Sequence, residues 1–140
     1  MTEAPTLIHD DAVVAAWIDY NDHMNVAFYV LVFTNALDAM RARFGIGALR
    51  LSQMHTLYGR EVRLGDRLRI ETRVLGVAGG RLHLYQEMFH AAEGYRAATF
   101  ESVAEQDAPF PAALRDRLAA LVPASPPEGA GRRVGLPAPR

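Results

Sequence analysis

The 140-residue chain predicts an α+β domain in which one antiparallel sheet curls around a single long helix. Two patterns carry that prediction. Residues 25–44 hold helical spacing with only one polar stripe, so this helix must be covered on most of its sides. Four strand-like segments joined by short turns follow it, and they supply the cover. Composition agrees: 50% of the residues are hydrophobic and 22% charged, a globular balance in a chain of single-domain length.

Taken in order, Asp11 to Ile18, DAVVAAWI, reads as a short first strand behind an N-terminal arm that carries His9. From Asn25 to about Phe44 the spacing predicts one helix, with Asn25 as N-cap and Gly45 just past its end. Thr34, Asn35, Asp38 and Arg41 form its polar stripe, and the first two turns have no polar side apart from the Tyr29 hydroxyl. Ser52 to Leu64 reads as the next strand, with Met54, Tyr58, Val62 and Leu64 on one face. Arg67 to Val77 alternates most cleanly, setting Leu68, Ile70, Thr72 and Val74 against Arg67, Arg69, Glu71 and Arg73. Arg81 to Ala92 and Tyr95 to Gln106 complete the sheet, with turns at Leu64–Arg67, Gly76–Arg81 and Glu93-Gly94. Asp107 to Pro111 breaks the last strand, and Ala112 to Val122 is a short helix with leucines at 114, 118 and 121. The domain therefore takes residues 1–122, and residues 123–140 form an extended Pro/Gly-rich C-terminal tail.

Several function classes fall away at this stage. The formal net charge of −1 offers nothing to nucleic acid or to an anionic membrane surface. All fifteen basic residues are arginine, which excludes a Schiff-base lysine and a Walker-type phosphate loop. With no cysteine there is no disulfide, cysteine metal site or cysteine nucleophile. The first residues lack a basic start followed by an apolar core, and no apolar run approaches the ~20 residues that span a bilayer, so a cytoplasmic protein is expected. Ser52, Ser102 and Ser125 lie in no nucleophile elbow. His83 and His90, seven apart on one strand, point to opposite faces and cannot share a metal, so no metal site is expected. His55 is open to a partner contact or a plain surface role.

One stretch remains, DYNDHMN, Asp19 to Asn25, set directly against the apolar helix. Free backbone N–H groups at a helix N-terminus form a ready site for an oxyanion. In an extended loop Asp19, Asn21 and His23 would share one side. A carboxylate, an amide and an imidazole beside such a helix end are the groups needed to hydrolyse an acyl compound. Pattern alone leaves a second reading equally open: Asp19 makes an Asx-turn, Asp22 supports the helix dipole and His23 is packing.

This stretch, followed by an apolar helix, resembles the signature of the hotdog-fold acyl-CoA thioesterases, the 4-hydroxybenzoyl-CoA thioesterase-like family. The resemblance covers Asp11 to Gln106. It implies the hotdog fold, an antiparallel sheet around one long central helix with a short C-terminal helix and tail. It also implies hydrolysis of an acyl-CoA thioester to a free acid and CoA, with no cofactor. Plant acyl-acyl-carrier-protein thioesterases show a similar Asp-x-Asn-x-His-x-Asn run, which matches Asp19, Asn21 and His23, and a Glu in an Arg-Glu pair, which matches Arg60-Glu61. In bacterial relatives one Asp at the position of Asp19 is the key carboxylate. Many relatives carry Gly where Asp22 stands.

The resemblance further implies that Asp19 is base or nucleophile, that His23 and Asn21 position it or the water, and that amides from Met24, Asn25 and Val26 to Ala27 polarise the thioester oxygen. Arg60, Arg63 and Arg81 are candidates for the CoA phosphates. Trp17, Tyr20, Phe28, Tyr29 and Tyr58 are candidates for an aromatic acyl pocket. The tail's GRRVGLP is similar to the ending of thioesterase-like proteins that hydrolyse betainyl-CoA in carnitine breakdown, and a cationic acyl group suits aromatic faces. A homodimer or tetramer with a shared site is implied. A hotdog hydratase or dehydratase and a non-catalytic acyl-CoA-binding module are the rival classes.

Overall fold

The computed structural model describes residues 7–131 together with Val134 and Leu136. The elements in chain order are β1 (Leu7–Ala12), α1 (Val26–Phe44), β2 (Arg50–Tyr58), β3 (Arg67–Ala78), β4 (Arg81–His90), β5 (Arg96–Glu105) and α2 (Ala112–Ala119). The five strands form one sheet in the order β1-β3-β4-β5-β2, with every neighbouring pair antiparallel. Its inner face wraps α1, which is the hotdog arrangement expected.

Helix α1 begins and ends where its residues dictate. The Asn25 side chain accepts a hydrogen bond from the Ala27 N–H, and Gly45 leaves the helix in the left-handed region at φ 69°. Tyr29, Val32, Phe33, Ala36, Leu37 and Met40 are buried along it. Opposite them, Leu68, Ile70, Thr72 and Val74 of β3 are all 2% exposed or less, as their alternation predicts.

Three expectations need correction. The first strand is Leu7–Ala12 and not Asp11 to Ile18. It ends because its partner does: Ala12 pairs with Arg67, the first residue of β3. Beyond it the chain makes a single 3-10 turn at Ala15–Trp17, and an apolar run alone cannot separate such a segment from a strand. His9 consequently sits in a paired strand, 3.4 Å from Asp11, and not in a loose arm.

The strand read as Ser52 to Leu64 stops at Tyr58. Gly59 and Arg60 both turn their N–H groups onto the Ala97 carbonyl, which swings the chain out of the sheet. Val62 is fully buried by that loop and not by strand pleating. Met54 and Tyr58 do share the inner face, but β2 is an edge strand that α1 only partly covers, leaving them 56% and 49% exposed. The C-terminal helix is likewise shorter than expected, Ala112–Ala119, with Leu118 fully buried.

His83 and His90 face opposite sides of β4. On the outer face His83 Nε2 lies 2.7 Å from Oε2 of Glu101, a carboxylate only 1% exposed. Residues 123–131, read as a tail, contain no helix or strand but lie over this face. The Gly131 N–H donates to Glu101 Oε1 at 2.7 Å, and the Tyr85 hydroxyl donates to the Glu128 carbonyl at 3.4 Å.

The β3–β4 turn is stitched to the segment after β5, since Gln106 and Phe110 donate to the carbonyls of Gly80 and Gly79. A Cβ on Gly80 would collide with the backbone carbonyl oxygens of Gln106 and Ala108, whereas one on Gly47 meets nothing within 4 Å. Gly80→Ala should therefore lower the unfolding free energy by about 1–3 kcal/mol. Gly47→Ala should leave it unchanged or raise it by a few tenths. Urea denaturation of the two variants checks the pair.

Candidate functional site

The N-terminus of α1, the loop before it and the loop after β2 meet at the end of the sheet where β4 finishes and β5 begins. The first loop is short and closed. Ile18 and Met24 form an antiparallel bridge, the Asp19 N–H donates to the His23 carbonyl at 3.0 Å, and the Asp22 N–H donates to the Asp19 carbonyl at 3.1 Å. Asp19 Oδ1 accepts the Asn21 N–H at 2.8 Å, an Asx-turn. The stretch is thus a turn and not the extended loop expected: Asp19 and His23 stand opposite each other across its base, which puts both side chains on one face, while Asn21 lies in the turn itself. Asp19 and His23 are both half-buried, and Asn21 is exposed.

Asp22 takes φ 61°, the one positive φ among non-glycine described residues. Glycine adopts that region freely, and Asp is among the few side chains that tolerate it. Asp22 therefore holds a conformation that glycine would adopt without strain.

The structure brings His23 and Glu61 together. His23 Nε2 lies 3.0 Å from Glu61 Oε2, with the two side chains 23% and 68% exposed. The loop carrying Glu61 is fastened along its length. The Arg60 carbonyl accepts from the Tyr29 hydroxyl at 3.4 Å, the Glu61 carbonyl from the Tyr95 hydroxyl at 2.8 Å and the Val62 carbonyl from the Met24 N–H at 2.9 Å. Burial raises both phenols above their ordinary value, so each keeps its proton and donates.

Most of the amides expected to polarise a substrate oxygen are already spent. Met24 donates to Val62, Asn25 to the Trp17 carbonyl at 2.8 Å and Ala27 to the Asn25 side chain at 3.0 Å. Of the four, Val26 alone has no acceptor among the described residues, and its side chain is 58% exposed.

Beside Glu61 lies an open groove of about 900 Å³, lined by Arg60, Arg63, Asp66, His90 and Tyr95. The Arg60 guanidinium lies 3.8 Å over the Tyr95 ring. His90 accepts the Glu93 N–H at Nδ1, which leaves its proton on Nε2, facing Asp66 at 3.3 Å. Arg81 is not brought to this end. It stands at the far end of β4, about 30 Å from His90 at roughly 3.3 Å per residue, and donates to Glu105 at 3.2 Å.

Of the aromatic candidates, Trp17 and Phe28 stack with ring centres 6.1 Å apart. Tyr20 is 95% exposed at the tip of the turn, while Tyr29 is a core residue at 3%. The Tyr58 hydroxyl reaches the Val26 carbonyl at 3.3 Å. Sequence reasoning missed Tyr95, whose role depends on a hydrogen bond across 34 positions that no local pattern announces. Among the described residues no cluster of three or more metal-ligating side chains occurs, and no helix is long and apolar enough to cross a membrane.

Residues 13–118 match the family model of the thioesterase-like superfamily. A betainyl-CoA thioesterase of Pseudomonas aeruginosa is 32% identical, over 92% of this chain and 94% of its own. A crystal structure from Pseudomonas putida KT2440, assigned as a thioesterase, superposes with a TM-score of 0.83 at 33% identity, covering 96% of this chain and 99% of the other. A Staphylococcus aureus protein solved in complex with CoA gives a TM-score of 0.81 at 22% identity, covering 98% and 99%.

The left-handed turn can be tested directly. Asp22→Gly should fold with a stability within about 1 kcal/mol of the parent, whereas Asp22→Val should lose about 1–2 kcal/mol, the cost of a Cβ-branched residue at positive φ. Thermal unfolding of both variants measures it.

Proposed function

The chain belongs to the thioesterase-like superfamily, and from that premise we propose that it cleaves an acyl-CoA thioester at the N-terminus of α1. The observation that carries the reading is the rigid Asp19–Met24 turn, which presents a half-buried carboxylate beside a His23–Glu61 pair. The protein is an acyl-CoA thioesterase: water and the thioester give a free acid and CoA.

In this mechanism Asp19 is the reacting carboxylate. Its Oδ1 is occupied by the Asn21 N–H, so the other oxygen faces the substrate, either taking a proton from water or attacking the carbonyl. His23 Nε2 stands 3.0 Å from the Glu61 carboxylate, which orients the ring and leaves the Nδ1 side free to act on the water. The Val26 N–H stabilises the developing oxyanion, with Asn21 closing the site at the surface. Thiolate is a good leaving group and needs no metal. Arg60 and Arg63, neither of them in an ion pair among the described residues, attract the CoA phosphates along the groove.

The name of the Pseudomonas relative favours a small cationic acyl group, betainyl, as substrate. The stacked Trp17 and Phe28 rings suit a quaternary ammonium, since aromatic faces attract such cations.

Two copies complete the site. Edge strand β2 offers unpaired backbone groups, and Val26, Leu31, Met54, Leu57 and Tyr58 beside it are 40–58% exposed. A second copy pairing along β2 would extend the sheet and cover them.

Incubation with a panel of acyl-CoAs and a thiol reagent should release free CoA, most readily from betainyl-CoA. Asp19→Asn keeps the turn acceptor and removes only the charge, so it should fold normally and lose about 10²–10⁴ in rate. A folded Asp19→Asn variant with full turnover removes Asp19 from the reaction. A panel that releases no CoA leaves the rival hydratase and binding-module classes.

The mass in solution should be twice or four times the 15.4 kDa chain mass. An active monomer by light scattering would refute the two-copy site.

A further inference from the structure

Three consecutive carbonyls, of Arg60, Glu61 and Val62, are each held by a different segment: α1 through Tyr29, the β4–β5 connection through Tyr95, and the Asp19–Met24 turn through Met24. The N–H groups of Gly59 and Arg60 are held as well, at 2.8 and 3.1 Å from the Ala97 carbonyl. Surface loops ordinarily leave such groups to water. The side chain at the centre of this fastening, Glu61, is 68% exposed and meets His23 alone among its ion-pair partners in the described residues. An exposed ion pair adds little to stability, so the fastening does not serve the pair as a prop for the fold. Its effect is to fix where the Glu61 carboxylate stands.

Tyr95 is itself well placed to do this. Its ring is gripped by the Arg60 guanidinium at 3.8 Å and by the His90 imidazole at 4.9 Å between centres, and His90 is anchored on Asp66. Its hydroxyl makes the shortest of the three bonds to the loop carbonyls, at 2.8 Å.

Resting on the hydrolase reading above, we propose that Tyr95 is a positioning residue of the reaction. Its hydroxyl, through the Glu61 carbonyl, holds the Glu61 carboxylate on His23 Nε2 and so fixes the direction of the imidazole. The Tyr95 hydroxyl touches no reacting atom in this scheme, although the ring lines the groove. It acts only through Glu61, which makes its contribution vanish when Glu61 can no longer hold the ring.

The test is a cycle of Tyr95→Phe and Glu61→Gln in the full chain. Tyr95→Phe keeps the ring under Arg60 and removes only the hydroxyl. The expected result is a fall in kcat of about tenfold with KM within about twofold, since a small misplacement of a reacting group costs rate and not binding. In the Glu61→Gln background the same substitution should cost nothing further. Full kcat in Tyr95→Phe, or an equal loss in both backgrounds, overturns the proposal. A second arm needs no turnover: the His23 ring ¹⁵N signals, assigned by their loss in His23→Asn, should move in Tyr95→Phe in the same direction as in Glu61→Gln. Signals left at their parent positions overturn the proposal whatever the rate. If the parent protein releases no CoA from any acyl-CoA, that failure belongs to the hydrolase reading, and the ring signals alone decide whether the hydroxyl holds the pair.

Discussion

The contact between α1 and the inner face of the sheet governs the positions of everything else. Phe33 is fully buried and stacks on Phe100 of β5, 5.0 Å between ring centres, and burying one such side chain contributes about 1.5–3 kcal/mol. Apolar burial is not directional, so it would hold the helix in the sheet without choosing its rotation or depth. Gln86 supplies the direction. It lies 1% exposed on the inner face of β4, and its Nε2 donates to the Phe33 carbonyl and to Thr72 Oγ1, each at 3.1 Å. Sliding or turning α1 would break the bond to Phe33 and leave one of the two amide hydrogens unpaired in the core, at a cost of about 1–3 kcal/mol. With α1 so fixed, its N-terminus arrives at the sheet end where the β2 exit loop and the β4–β5 turn already stand.

That end of the molecule is rigid because its loops exchange hydrogen bonds with one another. The Asp19–Met24 turn gives its Met24 N–H to Val62, and the loop containing Val62 is held from behind by Ala97 of β5. Two irregular segments thereby form a single ordered wall without a strand or helix between them. The same bonds decide which helix-end amides remain for a ligand. Met24, Asn25 and Ala27 serve the architecture, and the Val26 N–H is left over.

How much of this was legible depends on whether a feature is local. The Asn25 cap, the Gly45 exit and the β3 alternation were readable because each rests on neighbours within a few residues. The first strand was misplaced because its end is set by where β3 starts, 55 positions away, as the Ala12 to Arg67 pairing shows. At the site, the residue types at Asp19, His23 and Glu61 stood out by pattern and resemblance, but their arrangement did not. Period-two spacing presumed an extended chain, whereas Asp22 at φ 61° reverses it within four residues. The His23–Glu61 pair joins positions 38 apart, and the tyrosine bonds that fasten Glu61 are equally remote. Local chemistry announces which groups are present, and the long-range hydrogen bonds decide which of them meet.

The allocation of surfaces follows from the same geometry. A sheet has two faces and two edges to satisfy, and its inner face is filled by α1. The middle of the outer face is covered by residues 123–131, a stretch whose lack of periodicity marked it as a tail. Periodicity is not needed there, because the segment is anchored by its backbone and not by alternating side chains. The Gly131 N–H meets the buried Glu101 carboxylate, and Gly129 lies so close to the Tyr85 hydroxyl that a Cβ would stand 2.8 Å from it. A chain without glycine at that point could not lie flat on Tyr85. With that face covered in this way, five of the apolar side chains left in the open, Val26, Leu31, Met54, Leu57 and Tyr58, lie along β2 and the first turns of α1. Exposed backbone donors and apolar side chains on one edge are what a second copy would cover. The open edge strand and the N-terminus of α1 lie side by side, joined by the Tyr58 hydroxyl on the Val26 carbonyl.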